Sequence, residues 1–123
     1  MTKKILIVDD SETDFYLASQ AVQKIGGFEI LQATSGEQGV EIAKSQKPDV
    51  ILMDVVMSPG ISGFQATRAI THSDDTANIP VIMLTSKDQR SDRVWAEKQG
   101  AAGYINKPVD TEELATVLKD VLG

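Results

Sequence analysis

Hydrophobic residues recur along this chain with two different periods. Five short apolar runs, rich in β-branched residues, have the length of buried strands and span about residues 4–8, 28–32, 50–53, 81–84 and 103–105. Between and after them, apolar residues recur every three or four positions, as they do in helices, over about residues 12–25, after Ser35, over 64–71, over 88–99 and after Asp110. This alternation predicts an α/β fold in which a doubly wound parallel sheet carries helices on both faces.

Residues that typically begin or end helices stand at the expected ends of these segments. Gly26-Gly27 follows the first predicted helix, and Ser35 with Gln38 has the spacing of a capping box. Asp110 precedes the last helix and serves as its predicted N-cap. No linker or low-complexity stretch interrupts the pattern, so the sequence predicts a single domain over residues 1–123.

Composition narrows the possible functions. The net charge is -6 and the 12 Lys and Arg residues are dispersed, which argues against direct nucleic-acid binding, because phosphate contacts need clustered basic residues. The absence of cysteine excludes a disulfide framework and a thiolate zinc site. The first apolar run is too short for a signal peptide or a membrane span. We therefore predict a cytoplasmic protein without membrane insertion.

Four of the five apolar runs end in, or just before, a residue that can take part in phosphate chemistry. Asp9 and Asp10 follow the first run, Asp54 the third, Thr85 the fourth and Lys107 the fifth. In doubly wound folds, ligands bind beyond the carboxyl ends of the strands, where the strand order reverses. For the order 2-1-3-4-5 this reversal lies between the first and third strands, so the three carboxylates are predicted to meet there.

Three carboxylates at one sheet edge repel one another. Two unit charges about 5 Å apart repel by roughly 3 kcal/mol at an effective dielectric constant near 20, so such a cluster needs a cation or raised pKa values. Oxygen ligands without His or Cys select a hard divalent cation such as Mg²⁺. We predict a Mg²⁺ site on Asp10 and Asp54, with Asp9 bonding directly or through water and the backbone carbonyl of Val56 completing it.

This edge of the sheet is also suited to phosphoryl transfer. A cation beside Asp54, with Lys107 opposite, would neutralise the oxygens of a phosphoryl group during its transfer. Asp54 is the predicted nucleophile, which would become an aspartyl phosphate, and the Thr85 hydroxyl could hydrogen-bond the new phosphoryl oxygen. An aspartate at a strand end is by itself more often a turn former or helix cap, so the prediction rests on the combination.

The residues that end the strands match a known pattern. They are Asp9-Asp10, Asp54, Thr85-Ser86 and Lys107-Pro108. Placed after the first, third, fourth and fifth strands, they resemble the receiver domain of two-component response regulators, of the CheY type, and the resemblance covers the whole chain. It implies a flavodoxin-like (βα)5 sandwich with strand order 2-1-3-4-5.

The resemblance also implies a role for each residue. A histidine kinase would transfer a phosphoryl group to Asp54, with Mg²⁺ held by the three aspartates and the Val56 carbonyl. Lys107 would contact the phosphoryl group, and Thr85 with Tyr104 would form the conformational switch pair. A downstream protein would bind the face formed by the helix before the fifth strand, that strand and the last helix. The chain would then catalyse only its own phosphorylation and dephosphorylation.

Four short stretches indicate a narrower group within this family. They are Gly63 to Arg68, Asp92 to Trp95, Gln99 to Ala101 and Lys107 to Val109. These stretches resemble the PilH-type receivers of twitching and phototaxis systems. The narrower resemblance implies a chemotaxis-like pathway that controls motility.

The loop after Asp54 departs from the family pattern. Receivers usually have Met-Pro at this point, whereas here Ser58 stands between Met57 and Pro59. The loop that carries the Val56 carbonyl is therefore one residue longer. We expect the insertion to bulge outward and to leave Mg²⁺ binding intact.

Three alternative functions are compatible with parts of this pattern. Phosphohydrolases that form an aspartyl phosphate with Mg²⁺ generally need a second Asp two residues after the nucleophile, where this chain has Val56. Flavin-binding modules of the flavodoxin type need a phosphate loop after the first strand, where Asp9-Asp10 would repel the cofactor phosphate. A receiver that acts only as an unphosphorylated scaffold is the third alternative, and the complete set of Asp, Thr and Lys disfavours it.

Overall fold

Five parallel strands form one sheet in the order β2-β1-β3-β4-β5. The computed structural model describes residues 2–55, 57, 60–85, 94 and 96–123. The strands are β1 Lys3–Val8, β2 Phe28–Ala33, β3 Val50–Asp54, β4 Val81–Thr85 and β5 Gly103–Asn106. The helices with described bounds are α1 Glu12–Ile25, α2 Gly36–Gln46, α3 Gly63–Thr71 and α4 Thr111–Leu122. The predicted fold class and strand order are confirmed.

One predicted helix lies mostly outside the described residues. Of the segment predicted over residues 88–99, the structure describes Val94 and residues 96–99, and Val94 and 96–98 are helical. None of the helices in the described part of the chain is both long and apolar enough to cross a bilayer.

The sheet separates the hydrophobic core into two layers, because successive side chains of a strand point to opposite faces. Leu6, Ile51 and Met83 lie in the layer beneath α2 and α3. Ile7, Leu52 and Leu84 lie in the layer beneath α1 and α4. The central strands are buried on both faces, which explains why their sequences are continuous apolar runs without polar alternation.

Serine and aspartate side chains fix where the helices begin. The N-caps of the four helices, which accept a hydrogen bond from the backbone N–H three residues on, are Ser11, Ser35, Ser62 and Asp110. The full capping box is found at Ser62 and Gln65 in α3. In α2, the side chain of Gln38 accepts from the backbone N–H of Thr34 at 2.7 Å. Thus Ser35 caps α2 as predicted, while Gln38 bonds one residue further upstream.

Strand register brings the polar strand ends to one edge. Val8 pairs with both Ala33 and Met53, and Asp54 pairs with Leu84. Thr85 pairs with Asn106, the residue before Lys107. Because all strands are parallel, the residues after each of them lie on the same side of the molecule.

Candidate functional site

Three aspartates form an acidic cluster at the carboxyl edge of the sheet. Carboxylate oxygens of Asp9, Asp10 and Asp54 all lie within 4.8 Å of one another. Asp9 follows β1 and Asp54 ends β3, and both are buried, with residue exposures of 2% and 7%. Asp10 is exposed, so the cluster opens to solvent on its side. An all-oxygen set of this kind suits a hard divalent cation with several remaining water ligands.

Lys107 brings a positive charge into this cluster. Its Nζ lies 2.8 Å from Asp9 Oδ2 and 2.9 Å from Asp54 Oδ1. It also lies 2.9 Å from Oδ2 of Asp14, in the first turn of α1. The backbone N–H of Lys107 donates to the carbonyl of Thr85 at 2.6 Å, so the chain leaving β5 is held against the end of β4. The fold thus brings Asp9 and Lys107 into contact although they are almost a hundred positions apart in the sequence.

The charges in the cluster perturb two pKa values. Burial raises the pKa of Asp54 from 3.8 to about 6; the charges of Asp9 and Asp10 add to the rise, and the hydrogen bond from Lys107 opposes it. Burial lowers the pKa of Lys107, but its hydrogen bonds to Asp9, Asp14 and Asp54 outweigh that effect and hold the pKa above its ordinary value. Lys107 therefore stays charged at neutral pH, and the cluster keeps an excess of negative charge.

Asp14 was absent from the residues predicted from sequence. It lies three residues after the N-cap Ser11, in the turn that follows directly on Asp9 and Asp10. The available signal was its position, since the first turn of a helix that follows a strand lies above the same sheet edge as the end of that strand. A carboxylate in the first turn of a helix also interacts favourably with the helix dipole, which is its ordinary role. The sequence alone therefore gives no reason to assign Asp14 a second role.

Thr85 and Tyr104, the predicted switch pair, occupy adjacent strands. Thr85 ends β4 with 4% exposure. Tyr104 is half-buried in β5, where it pairs with Met83 and packs against the layer beneath α2 and α3. A cavity of about 290 Å³ lies beside Tyr104 and is lined also by Ala96, Glu97, Ala101, Ala102 and Gly103.

The loop between β3 and α3 is fixed at both of its described ends. Val56 and Ser58, for which a metal-binding carbonyl and an outward bulge are predicted, lie outside the described residues. At the start of the loop, Val55 N–H donates to Leu84 O and Val55 O accepts from Gly63 N–H, both at 2.9 Å. Towards its end, the backbone N–H of Ile61 donates to Glu37 Oε2 at 3.2 Å.

Gly63 is required by close packing on the backbone of Asp54. A methyl group at position 63 would overlap the carbonyl of Asp54 and come within 2.9 Å of the Cα of Val55. We expect Gly63→Ala to lower the free energy of unfolding by about 1 to 3 kcal/mol, since the overlapping atoms are backbone and cannot rotate away. Urea unfolding measures this loss.

A second glycine provides the control for that substitution. The nearest atoms to a Cβ at Gly103 would be side-chain carbons, the closest being Val117 Cγ1 at 3.0 Å. Gly103→Ala should therefore cost less than Gly63→Ala. Equal losses for the two variants would contradict the special role of the Asp54 backbone contact.

Known proteins of similar sequence and structure share this arrangement of elements over nearly the whole chain. The family described as the response regulator receiver domain matches residues 5–119. The chain is 50% identical to Protein PilH of Pseudomonas aeruginosa over 119 residues, and this alignment covers 97% of each protein. It is 30% identical over 123 residues to the polar-differentiation response regulator DivK of Brucella ovis, covering 100% of this chain and 98% of DivK. Among solved structures, chemotaxis protein CheY4 of Vibrio cholerae matches with a TM-score of 0.89 and 30% identity, over 99% of this chain and 100% of CheY4.

Proposed function

Because this chain belongs to the response regulator receiver domain family, we propose that it is a phosphorylation-controlled signalling module of a two-component system, with Asp54 as the phosphoacceptor. The observation that supports this most is the contact of Lys107 with Asp54 and Asp9 inside a cluster of three aspartates. A nucleophilic carboxylate, an acidic metal-binding cluster and an ammonium group are the components that phosphoryl transfer to an aspartate needs.

In the proposed reaction, a carboxylate oxygen of Asp54 attacks the phosphorus of a phosphohistidine on the kinase. The new P–O bond forms as the P–N bond breaks, and the electron pair of that bond returns to the imidazole nitrogen. With a pKa of about 6, Asp54 is mostly ionised at neutral pH and can act as the nucleophile without a general base. Lys107, charged at this pH, balances the negative charge that arrives.

The acidic cluster is the proposed site of Mg²⁺. Asp9, Asp10 and Asp54 would hold the ion through oxygen atoms, with the Val56 carbonyl as the further ligand predicted from sequence. When bound, Mg²⁺ supplies positive charge to the phosphoryl oxygens and so lowers the repulsion between the phosphodonor and the three aspartates. Exposure of Asp10 leaves that side of the cluster open to water ligands and to the phosphodonor.

We propose Thr85 and Tyr104 as the elements that transmit phosphorylation to a partner. The Thr85 hydroxyl, at the end of β4, would donate to a phosphoryl oxygen, and Tyr104 would move towards the space this leaves. The pairing of β4 with β5 supports the proposal, because it places the end of the strand that carries Thr85 beside the strand that carries Tyr104. Shifting such a two-state equilibrium from about 1:99 to 99:1 takes about 5.5 kcal/mol, which several charge-assisted hydrogen bonds to a phosphoryl group can supply.

The proposed partners are a histidine kinase as phosphodonor and a downstream protein. The downstream protein would bind the face that includes β5, α4 and the helical residues around Ala96. Identity of 50% to Protein PilH supports a place in a pathway that controls motility. We place the protein in the cytoplasm, where such a kinase would present its phosphohistidine.

Incubation with acetyl phosphate tests the proposal without the unknown kinase. In the presence of Mg²⁺, intact mass spectrometry should show the gain of one phosphoryl group, and borohydride trapping followed by peptide mapping should place it on Asp54. Chelation of Mg²⁺ by EDTA should suppress the gain. A phosphoryl group on any other residue, or none at all, would refute the assignment of Asp54.

A further inference from the structure

Lys107 contacts more carboxylates than the proposed phosphotransfer uses. An ammonium group has three N–H donors, and the Nζ of Lys107 directs hydrogen bonds to Asp9 and Asp14 while forming an ion pair with Asp54. The three distances, 2.8, 2.9 and 2.9 Å, are nearly equal. Asp9 and Asp54 belong to the acidic cluster, whereas Asp14 comes from α1 and has no part in the proposed reaction. Its contact with Lys107 needs a separate explanation.

Two hydrogen bonds that involve Ser11 fix Asp14 relative to the cluster. The backbone N–H of Ser11 donates to Asp9 Oδ1 at 3.0 Å, and the Ser11 hydroxyl accepts from the backbone N–H of Asp14 at 3.2 Å. Asp14 is therefore linked to Asp9 through a single residue. The short Asp14 side chain reaches Lys107 because its backbone is held in this place.

The three carboxylates differ in how readily they can lose Lys107. The side chain of Asp9 is 1% exposed and that of Asp54 is 9% exposed, whereas that of Asp14 is 39% exposed. A buried carboxylate without its partner is costly, while an exposed one can exchange the lysine for water. When an incoming phosphoryl group on Asp54 needs a donor from Lys107, Asp14 is the partner whose loss costs least.

We propose that Asp14 is a positioning residue that holds Lys107 in the unphosphorylated state and competes with the phosphoryl group for it. This inference rests on the proposed phosphorylation of Asp54. It adds a residue that limits how much of the protein is phosphorylated. The Asp14 carboxylate lowers the fraction of phosphorylated protein, because its ion pair with Lys107 is weakened when the ammonium group moves onto the phosphoryl oxygens. Phosphorylation also releases Asp14 to solvent and so changes the surface charge of the first turn of α1.

Binding of beryllium fluoride with Mg²⁺, measured by isothermal titration calorimetry, tests this competition. Asp14→Asn keeps the size of the side chain and removes its charge. The variant should therefore bind the phosphoryl mimic about three- to fivefold more tightly than wild type, the upper part of the range expected for loss of a partly exposed ion pair. Affinity for Mg²⁺ alone should change less than affinity for beryllium fluoride, because Asp14 lies outside the acidic cluster.

A neighbouring glutamate controls for the general loss of negative charge. Glu12 lies in the same first turn and is exposed, but it is not among the carboxylates that contact Lys107. Glu12→Gln should leave the affinity for beryllium fluoride within about twofold of wild type, since an isolated surface charge contributes little. In a Lys107→Met background, Asp14→Asn should give no further gain in affinity.

The possible outcomes separate this inference from the proposed function. If wild type itself does not bind beryllium fluoride, the proposed function fails, and the inference with it. If wild type binds and Asp14→Asn binds equally or more weakly, the competition is refuted while the proposed function stands. A gain that persists without Lys107, or that Glu12→Gln reproduces, would also refute it. Asp14→Ser provides a second test should the Asn variant fold poorly.

Discussion

Asp54→Asn is expected to abolish phosphorylation and, without Mg²⁺, to make the folded protein more stable. Asparagine cannot form an acyl phosphate by attack on a phosphodonor, so no phosphoryl group should be gained. Stability should rise because the ionised Asp54 is buried beside Asp9 and Asp10. A pKa raised from 3.8 to about 6 corresponds to about 3 kcal/mol of unfavourable free energy for the ionised form. We expect a net gain of about 2 kcal/mol, since Lys107 loses one charged partner.

The gain in stability of Asp54→Asn over wild type should depend on pH. The folded-state pKa of Asp54 lies above its unfolded value, so between pH 3.8 and about 6 the folded state binds more protons than the unfolded state. The contribution of Asp54 to stability is therefore most favourable below pH 3.8 and is lost as the pH rises through about 6. The variant lacks this titration, so its advantage should be largest above pH 6 and absent below pH 4.

Urea unfolding of both proteins in EDTA, at pH values from 4 to 8, measures the effect. Adding Mg²⁺ should reduce the difference, because the cation stabilises the wild-type carboxylate. A variant that is less stable than wild type at pH 8 in EDTA would contradict the proposed excess of negative charge, whatever its phosphorylation.

Lys107→Met should destabilise the Mg²⁺-free protein by about 3 kcal/mol, the usual cost of breaking a buried ion pair. The substitution leaves the Asp9 carboxylate, which is 1% exposed, without the ammonium group that now lies 2.8 Å away. Methionine replaces the aliphatic stem of the lysine side chain, so lost packing contributes little. Because Mg²⁺ can replace part of the missing charge, the variant should recover stability when the ion is added, and by more than wild type does.

Lys44→Met is the matched control, because Lys44 is exposed in the last turn of α2, which leads into the start of β3 and so lies at the sheet edge opposite the cluster. It should change the free energy of unfolding by less than about 0.5 kcal/mol. If Lys107→Met is as stable as Lys44→Met in EDTA, Lys107 is not the counter-ion on which the buried aspartates depend. Equal effects of Mg²⁺ on both variants would lead to the same conclusion.

The elements of this fold were predictable because the same pattern recurs five times. Strands such as Val50–Asp54 are buried on both faces, so the sequence must be apolar without interruption, and such runs are easily recognised. The polar residue that follows each run then lies at the sheet edge by topology alone. This is why Asp9, Asp54 and Lys107 could be placed together before any coordinates.

Contacts that depend on side-chain direction were not predictable in the same way. Asp14 reads as an ordinary first-turn carboxylate, and only the arrangement of β1, α1 and β5 shows that it reaches Lys107. The same holds for Gln38, whose spacing from Ser35 suits a capping box but whose amide oxygen accepts from Thr34 instead. Both contacts depend on where a side chain points after the elements have packed together, which the periodicity of a sequence does not record.

The β3–α3 loop is anchored at both ends, so its length can change without moving the elements it connects. Val55 is bonded to Leu84 and Gly63, and Ile61 is bonded to Glu37, so the backbone is fixed before and after the stretch that contains Ser58. Because Asp54 and the start of α3 are each held by contacts outside that stretch, a change in the number of residues there alters neither. We therefore expect that related chains can gain or lose a residue in this loop while keeping Asp54 in register, so that the sequence of the loop can diversify at little structural cost.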